Sequence, residues 1–274
     1  MHQSQRKRGE WNGRHPKTWP LVVAGLPMIM FLLLPCVSLV FRVSPASFLQ
    51  HIVEPQVAQA IALSGTTTLI STIVALIAGT PVAYLIARRN FPGKAALDTL
   101  IDLPIVLPPS VAGIALLIAF GRRGLLGGYL NELGISIPFT QAAVVLAQLF
   151  VASPLYIKSA KAGFASVDSD FEQAAAIDGA SPWKIFCTVT VPLSFHALVG
   201  GAIMTWARAL GEFGATIIFA GNFPGRTQTM PLAIYIGFEL DLGVALSLAL
   251  ILLAISFIVL VVVKGFLRRG MAPL

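Results

Sequence analysis

Six long stretches of this chain are continuously apolar, and they constrain its fold more than any other feature of the sequence. A helix needs roughly 20 consecutive apolar residues to cross a hydrocarbon core of about 30 Å. Strands of a membrane barrel would alternate polar and apolar residues instead. The sequence therefore predicts an all-α integral membrane protein with six transmembrane helices, at residues 18–41, 60–87, 103–121, 137–157, 193–220 and 242–263.

Composition supports this reading, because 56% of the residues are hydrophobic and only 11% are charged. A water-facing domain carries roughly 25% charged residues. A disordered chain, a disulfide-stapled secreted domain and a nucleic-acid-binding domain are therefore excluded. Cys36 and Cys187 lie in or beside apolar runs and are interpreted as small membrane-buried side chains. A cleavable signal peptide is the alternative for the first stretch, although its apolar run is longer than usual.

The distribution of Lys and Arg predicts the orientation, because short cationic loops stay in the cytoplasm. With six spans, fourteen of the 19 cations fall on the side that holds both termini. Four fall on the other side, namely Arg42, Arg122, Arg123 and Arg226, and Arg208 lies in or next to a span. Residues 1–17 are thus predicted to be a cytoplasmic tail, followed by a six-span domain over residues 18–269.

The loop at residues 158–192, between the fourth and fifth spans, has the sequence of two short helices. Asp168 can cap the first helix, and the alanines at 174–176 favour helix. Gly179 supplies the stop, and Ser181 with Pro182 opens the second helix. Such a pair can dock into a groove on a soluble partner or lie on the lipid headgroups, and composition alone favours neither.

This loop also resembles the signature cytoplasmic loop of ABC-transporter permease subunits. That signature has Glu-Ala-Ala, three residues, Gly, nine residues and then Ile-x-Leu-Pro. Gly179 and the run 189–192 match its spacing, whereas Gln173 occupies the glutamate position and Glu172 lies one residue early. In the family this loop is a coupling helix that inserts into a cleft of the ATPase. Because Glu172 is displaced, we expect its substitution to matter less than that of Gly179.

The resemblance implies a coupling role for the following residues: Glu172, Gln173, Ala174, Ala175, Asp178, Gly179, Ala180, Ser181 and Pro182.

Two further stretches resemble the molybdate and sulfate oxyanion branch of these permeases. They are LPIVLPPSVAG at 103–113 and RALGEFGAT at 208–216, the second continuing through 221–235. The run GEFGAT together with PGRTQT is closer to molybdate permeases than to sulfate permeases. The resemblance extends from about residue 64 to 266, and residues 1–17 match nothing in it.

The same stretches suggest a translocation pathway. Prolines at a helix start leave carbonyls without donors, which favours a position facing the bundle or water over one facing lipid. A kinked helix start with a purely structural role is the alternative. Arg208 and Glu212 are four residues apart in one predicted helix, so they share a face of that helix. They are either charges that face a pore or a structural pair that neutralises itself. The predicted pathway residues are Pro108, Pro109, Ser110, Arg208, Glu212 and Thr216.

Residues 221–235 are predicted to be an external loop with a short re-entrant or interfacial piece, because the Gly-Asn-Phe-Pro-Gly cluster breaks any further span. The residues predicted to face a docked binding protein are Asn222, Arg226, Thr227 and Thr229, although a plain solvated loop is equally compatible.

The sequence has no P-loop pattern, no metal-ligand spacing of Asp, Glu and His, and no catalytic constellation. We therefore expect a permease with no cofactor of its own and no nucleic-acid partner. The resemblance implies a second permease copy, two cytoplasmic ATPases that bind ATP and Mg²⁺, and an extracytoplasmic oxyanion-binding protein, in the cytoplasmic membrane of a prokaryote. Sulfate or thiosulfate is the alternative cargo, and an ion-coupled carrier or a membrane-embedded enzyme is the alternative class.

Overall fold

The computed structural model describes residues 19–270, and these residues form helices without strands. The elements are α1 (Trp19–Arg42), α2 (Pro45–Ile52), α3 (Pro55–Arg88), α4 (Lys94–Val106), α5 (Pro109–Phe120), α6 (Gly127–Glu132), α7 (Gln141–Ser166), α8 (Ser169–Ile177), α9 (Pro182–Ile185), a π-helical turn (Phe186–Thr190), α10 (Val191–Leu210), α11 (Gly214–Phe219), α12 (Met230–Leu240) and α13 (Leu242–Gly270). The tail predicted at residues 1–17 lies outside the described residues.

Five helical segments within residues 19–270 are long and apolar enough to cross a membrane. They are α1, α3, α7, the continuous run Pro182–Leu210 and α13. The bent pair α4–α5 is apolar enough to be a sixth, broken span or a re-entrant loop. The predicted all-α membrane fold is therefore confirmed. The helix α1 forms a structural unit of its own, and the chain from residue 43 onward forms the other.

Close contacts at small residues bring α7 and α10 together. A Cβ added at Gly163 of α7 would lie 2.5 Å from the Cβ of Ala197, and one at Gly201 of α10 would lie 2.6 Å from the Cβ of Ser159. Glycine at these positions allows the two backbones to approach, which is how helices associate where lipid provides no hydrophobic driving force.

Hydroxyl and amide side chains join α3 to α7 inside the bundle. The hydroxyl of Ser71 donates to the amide oxygen of Gln148 at 3.0 Å, and both residues are buried. The hydroxyls of Thr80 and Tyr156 lie 2.6 Å apart. Each bond satisfies polar atoms that would otherwise be costly in an apolar interior.

The third predicted span, 103–121, is not one straight helix. The chain bends by 115° between α4 and α5. Pro108 and Pro109 occupy the bend, and proline has no N–H to continue the helical ladder. Ion pairs from Lys158 to Asp102, at 2.9 Å, and from Lys161 to Asp98, at 2.7 Å, fasten α4 to α7. The lysines lie within α7, because this helix continues to Ser166 and the loop predicted from 158 begins later.

The fifth predicted span, 193–220, is also broken. Helix α10 ends at Leu210, and a second short helix, α11, begins at Gly214. Likewise, the predicted external loop 221–235 contains the start of α12, a helix of 11 residues. The apolar pattern alone could not distinguish a continuous helix from two helices with a turn between them.

Candidate functional site

Helices α8 and α9 have the caps that the sequence predicts. The carboxylate of Asp168 accepts from the N–H of Asp170 at 3.0 Å, and the hydroxyl of Ser181 accepts from the N–H of Lys184 at 3.3 Å. Gly179 separates the two helices with a φ of 83°, a left-handed conformation that disfavours any side chain. Local sequence therefore determines this helix pair.

Three large apolar side chains of the helix pair are exposed. The exposed fractions are 59% for Phe171, 87% for Ile177 and 73% for Trp183. Burying such side chains against a partner is favourable, since each contributes roughly 1.5–3 kcal/mol when it leaves water. No sequence motif indicates that Phe171 or Ile177 would be exposed.

Most of the predicted coupling residues are solvent-accessible on this helix pair. Gln173, Ala174, Asp178, Gly179, Ser181 and Pro182 are exposed, whereas Glu172, Ala175 and Ala180 are partly buried.

Glu172 faces the helical bundle. Its Oε1 accepts from the hydroxyl of Thr190 at 2.6 Å and from Nη2 of Arg88 at 3.1 Å. The same Nη2 donates to the carbonyl of Val167 at 2.9 Å. One carboxylate therefore links the end of α3, the helix α8 and the entry of α10. This position gives Glu172 a larger structural role than its displacement from the motif predicts.

The two helix breaks contact each other. A Cβ added at Gly214, the first residue of α11, would lie 2.6 Å from the Cβ of Pro109, the first residue of α5. A Cβ at Gly113 would lie 2.9 Å from the carbonyl oxygen of Ala215. Residues that are distant in sequence and interrupt their helices therefore form one tight junction, hereafter the break junction (residues 108–113 and 211–216).

Arg208 and Glu212 form the predicted pair at this junction. Nη1 of Arg208 lies 2.9 Å from Oε2 of Glu212, and the side chains are 35% and 1% exposed. The other carboxylate oxygen accepts from the N–H of Ala215 at 2.8 Å and so caps the first turn of α11. Glu212 therefore has a structural function in addition to its charge. The other predicted pathway residues differ in exposure: Pro108, Pro109 and Ser110 are exposed, whereas Thr216 is fully buried.

The predicted docking residues are only partly at the surface. Arg226 is exposed and Asn222 is partly buried, but Thr227 and Thr229 are 0% and 1% exposed. The prediction that these two threonines face a docked protein is therefore wrong for this conformation. The hydroxyl of Thr227 instead accepts from the N–H of Phe223 at 3.0 Å and closes the loop.

The structure also brings together three residues that the sequence spacing did not reveal. One ligand-capable atom from each of His51, Glu54 and Asp241 lies within 4.8 Å of the others. Nδ1 of His51 is 2.7 Å from Oε1 of Glu54, and Asp241 accepts from the N–H of Gly243 at 2.8 Å. Hydrogen bonds from His51 and then Gln56 lower the pKa of the Glu54 carboxyl. These contacts already account for the cluster, as a joint between α2 and the start of α13.

Comparison with known proteins identifies the fold. Residues 79–270 match the family described as binding-protein-dependent transport system inner membrane component. The chain belongs to this family. It is thus a multi-pass permease subunit of an ABC importer and not an enzyme, and the ATPase is a separate subunit.

The permease is 41% identical over 249 residues to the molybdenum transport system permease protein ModB of Mycobacterium tuberculosis, covering 89% of this chain and 94% of the relative. It is 31% identical over 266 residues to a probable sulfate transport system permease protein, cysT, of Chlorokybus atmophyticus, covering 95% and 93%. A bacterial ABC transporter that imports alginate superposes with a TM-score of 0.72, at 15% identity, over 93% of this chain and 97% of that chain.

Glu172→Gln should destabilise the permease, because the neutral amide loses the ion pair with Arg88 at a partly buried site. Hydrogen bonds to charged groups contribute about 1.5–3 kcal/mol. We expect a lower thermal unfolding midpoint of the purified protein and faster proteolysis within residues 167–190. Gln173→Ala, at the neighbouring exposed position, is the matched control and should leave both unchanged. Equal midpoints for the two variants would contradict the structural role of Glu172.

Proposed function

We propose that this permease conducts molybdate across the cytoplasmic membrane. The observation that carries this proposal is the 41% identity to a molybdenum permease over 89% of the chain. The GEFGAT and PGRTQT runs support the same cargo. The 31% identity to a probable sulfate permease makes sulfate the second candidate.

The proposed assembly contains two copies of this chain, two cytoplasmic ATPases and an extracytoplasmic oxyanion-binding protein. ATP and Mg²⁺ bind to the ATPases, and this chain needs no cofactor of its own. Membership of a binding-protein-dependent family supports a separate binding protein. Alternation between inward-open and outward-open states then follows from nucleotide contacts at one end and binding-protein contacts at the other.

Coupling is proposed to occur through α8 and α9. The exposed side chains of Phe171, Ile177 and Trp183 provide an apolar surface for a cleft in the ATPase. Force applied to this surface would reach the bundle through Glu172, because its carboxylate contacts residues on α3 and at the entry of α10.

The pathway is proposed to pass the break junction. Interrupted helices leave backbone groups without helical partners, and such groups are tolerated where they line a water-filled cavity. Arg208, with 35% of its side chain exposed, would attract an anion, whereas Glu212 is engaged with Arg208 and Ala215.

Substitutions at this pair separate a pathway role from a purely structural one. Glu212→Leu should reduce accumulation of the folded protein, because Arg208 loses its ion-pair partner and the N–H of Ala215 loses its acceptor. The unsatisfied N–H alone costs about 1–3 kcal/mol of stability. Glu212→Gln keeps an acceptor and should accumulate better. Arg208→Gln should accumulate but lower anion-stimulated turnover, and Arg208→Leu with Glu212→Gln should stay slow. Full transport in this double variant would eliminate the pathway role.

The proposed orientation has both termini and the loop with α8 and α9 in the cytoplasm, as the bias of Lys and Arg predicts. In a variant without native cysteines, a cysteine at the exposed Ser181 should resist a membrane-impermeant thiol reagent in intact cells. A cysteine at the exposed Pro224 should react quickly. After permeabilisation both should react, and the opposite ranking in intact cells would invert the topology.

The cargo is tested with the complete complex in proteoliposomes, loaded with ATP and supplied with its binding protein. We expect ATP-dependent accumulation of radiolabelled molybdate. Excess unlabelled molybdate should abolish this accumulation, whereas equimolar sulfate should reduce it only slightly. Preferential accumulation of sulfate would assign the second candidate instead. Uptake that is independent of ATP but follows an ion gradient would contradict an ABC mechanism.

A further inference from the structure

We propose that a surface cavity between the α5–α6 turn and the loop preceding α12 is a binding site for a free tetrahedral oxyanion. This inference rests on the proposed oxyanion transport. The cavity has a volume of about 660 Å³, and Arg122 and Arg226 both line it together with Ser136. Among the described residues that line it there is no carboxylate, and neither arginine takes part in an ion pair within residues 19–270. Two arginines from distant parts of the chain thus line one space.

Arg122 is presented by a tightly wound turn. The N–H of Gly124 donates to the carbonyl of Gly121 at 2.7 Å. A Cβ added at Gly124 would collide with the carbonyl oxygen of Ile118, and one at Gly127 would collide with that of Gly121. This turn excludes side chains at its glycines and holds the backbone of Arg122 in place.

Arg226 is presented by a second closed turn. The carbonyl of Phe223 accepts from the N–H groups of Arg226, Thr227 and Gln228 at 3.0, 2.9 and 3.0 Å. The buried hydroxyl of Thr227 fastens the turn from the opposite direction, through the N–H of Phe223. The burial of Thr227, which removes it from any docking surface, is what fixes the position of Arg226.

The wall between the two turns is also constrained. Phe139, which lines the cavity, has a φ of 62°, a left-handed conformation that is unusual for a bulky residue. Its ring contacts that of Phe223 edge to face, with centroids 6.2 Å apart. Backbone strain of this type is retained where surrounding contacts enforce it, often at functional sites. The segment that lines the cavity is therefore joined to the turn that carries Arg226.

The chemistry of the cavity matches a small oxyanion. Each guanidinium offers paired N–H donors that fit two oxygens of a tetrahedral anion, and the hydroxyl of Ser136 adds a further donor. Both arginines are on the side that the charge bias places outside the cell. Because they are exposed, binding is weak enough for release, as a transport route requires. The site would raise the local concentration of the anion at the outer mouth of the pathway.

The test uses the complete permease–ATPase complex in nanodiscs, without binding protein, and radiolabelled molybdate as the probe. Arg122→Gln with Arg226→Gln should weaken equilibrium binding of molybdate about tenfold, equivalent to about 1.4 kcal/mol. The matched control is Arg123→Gln, which removes a neighbouring exposed charge that does not line this cavity. The control should bind like the unmodified complex, and added salt should weaken binding in both.

Two results would overturn the proposal. The first is equal molybdate binding by the double variant and the unmodified complex. The second is an equal loss in the Arg123→Gln control, which would indicate a general effect of surface charge. If the first result is obtained, a separate assay with the binding protein added assigns the arginines: weaker attachment of that protein to the double variant would indicate that they contact its carboxylates.

If the double glutamine variant does not assemble, Arg122→Lys with Arg226→Lys provides the same comparison. Lysine keeps the charge but lacks the paired donors of the guanidinium group. We therefore expect the affinity of the double lysine variant for molybdate to lie between the affinities of the unmodified and double glutamine forms. An affinity equal to that of the unmodified complex would contradict recognition by the guanidinium groups. Failure of the unmodified complex to accumulate molybdate in proteoliposomes would reject the proposed cargo instead. The two failures are therefore distinguishable.

Discussion

The close approach of α7 and α10 at small residues is the contact on which the rest of the structure depends. Lipid does not drive helices together, so association relies on packing and on hydrogen bonds between helices. Gly163 and Gly201 allow the backbones to approach, and Ser159 donates to the carbonyl of Ala197 at 2.7 Å. Helix α3 completes this core through the bond from Ser71 to Gln148. Helices α4, α5 and α11 pack against α7, α13 packs against α10, and α12 packs against α3.

The loop between α7 and α10 is more polar than the helices that flank it, yet it is firmly attached to the helical bundle. Its helices are set by local caps, but its attachment is set by Glu172, which contacts Arg88 and Thr190. A carboxylate at 20% exposure with a guanidinium at 17% forms a stronger link than a fully solvated pair would. The apolar side chains of Phe171, Ile177 and Trp183 remain exposed. The loop therefore combines attachment to the helical bundle through Glu172 with exposed apolar side chains.

The break junction combines two features that are costly separately. Prolines at the start of α5 remove hydrogen-bond donors, and the turn 211–213 interrupts a helix in an apolar segment. Their contact at Pro109 and Gly214 places the two interruptions against each other, while Glu212 supplies an acceptor for the first turn of α11. The bilayer favours continuous helices. These two interruptions are tolerated because they pack against each other and because Glu212 caps the second one.

The amino-acid sequence by itself determined the all-helical membrane fold and the caps of α8 and α9, because hydrophobic length and capping depend on residues close in the chain. It also indicated the pairing of Arg208 with Glu212, which are four residues apart. Only the tertiary structure decided that α4 and α5 bend at the prolines, that Glu172 faces the bundle and that Thr227 is buried. It also decided that Arg122 and Arg226 share a cavity. The prolines permit a bend locally but do not set its angle of 115°. The contacts of Glu172 and the shared cavity join residues far apart in sequence, whose proximity depends on how whole helices pack.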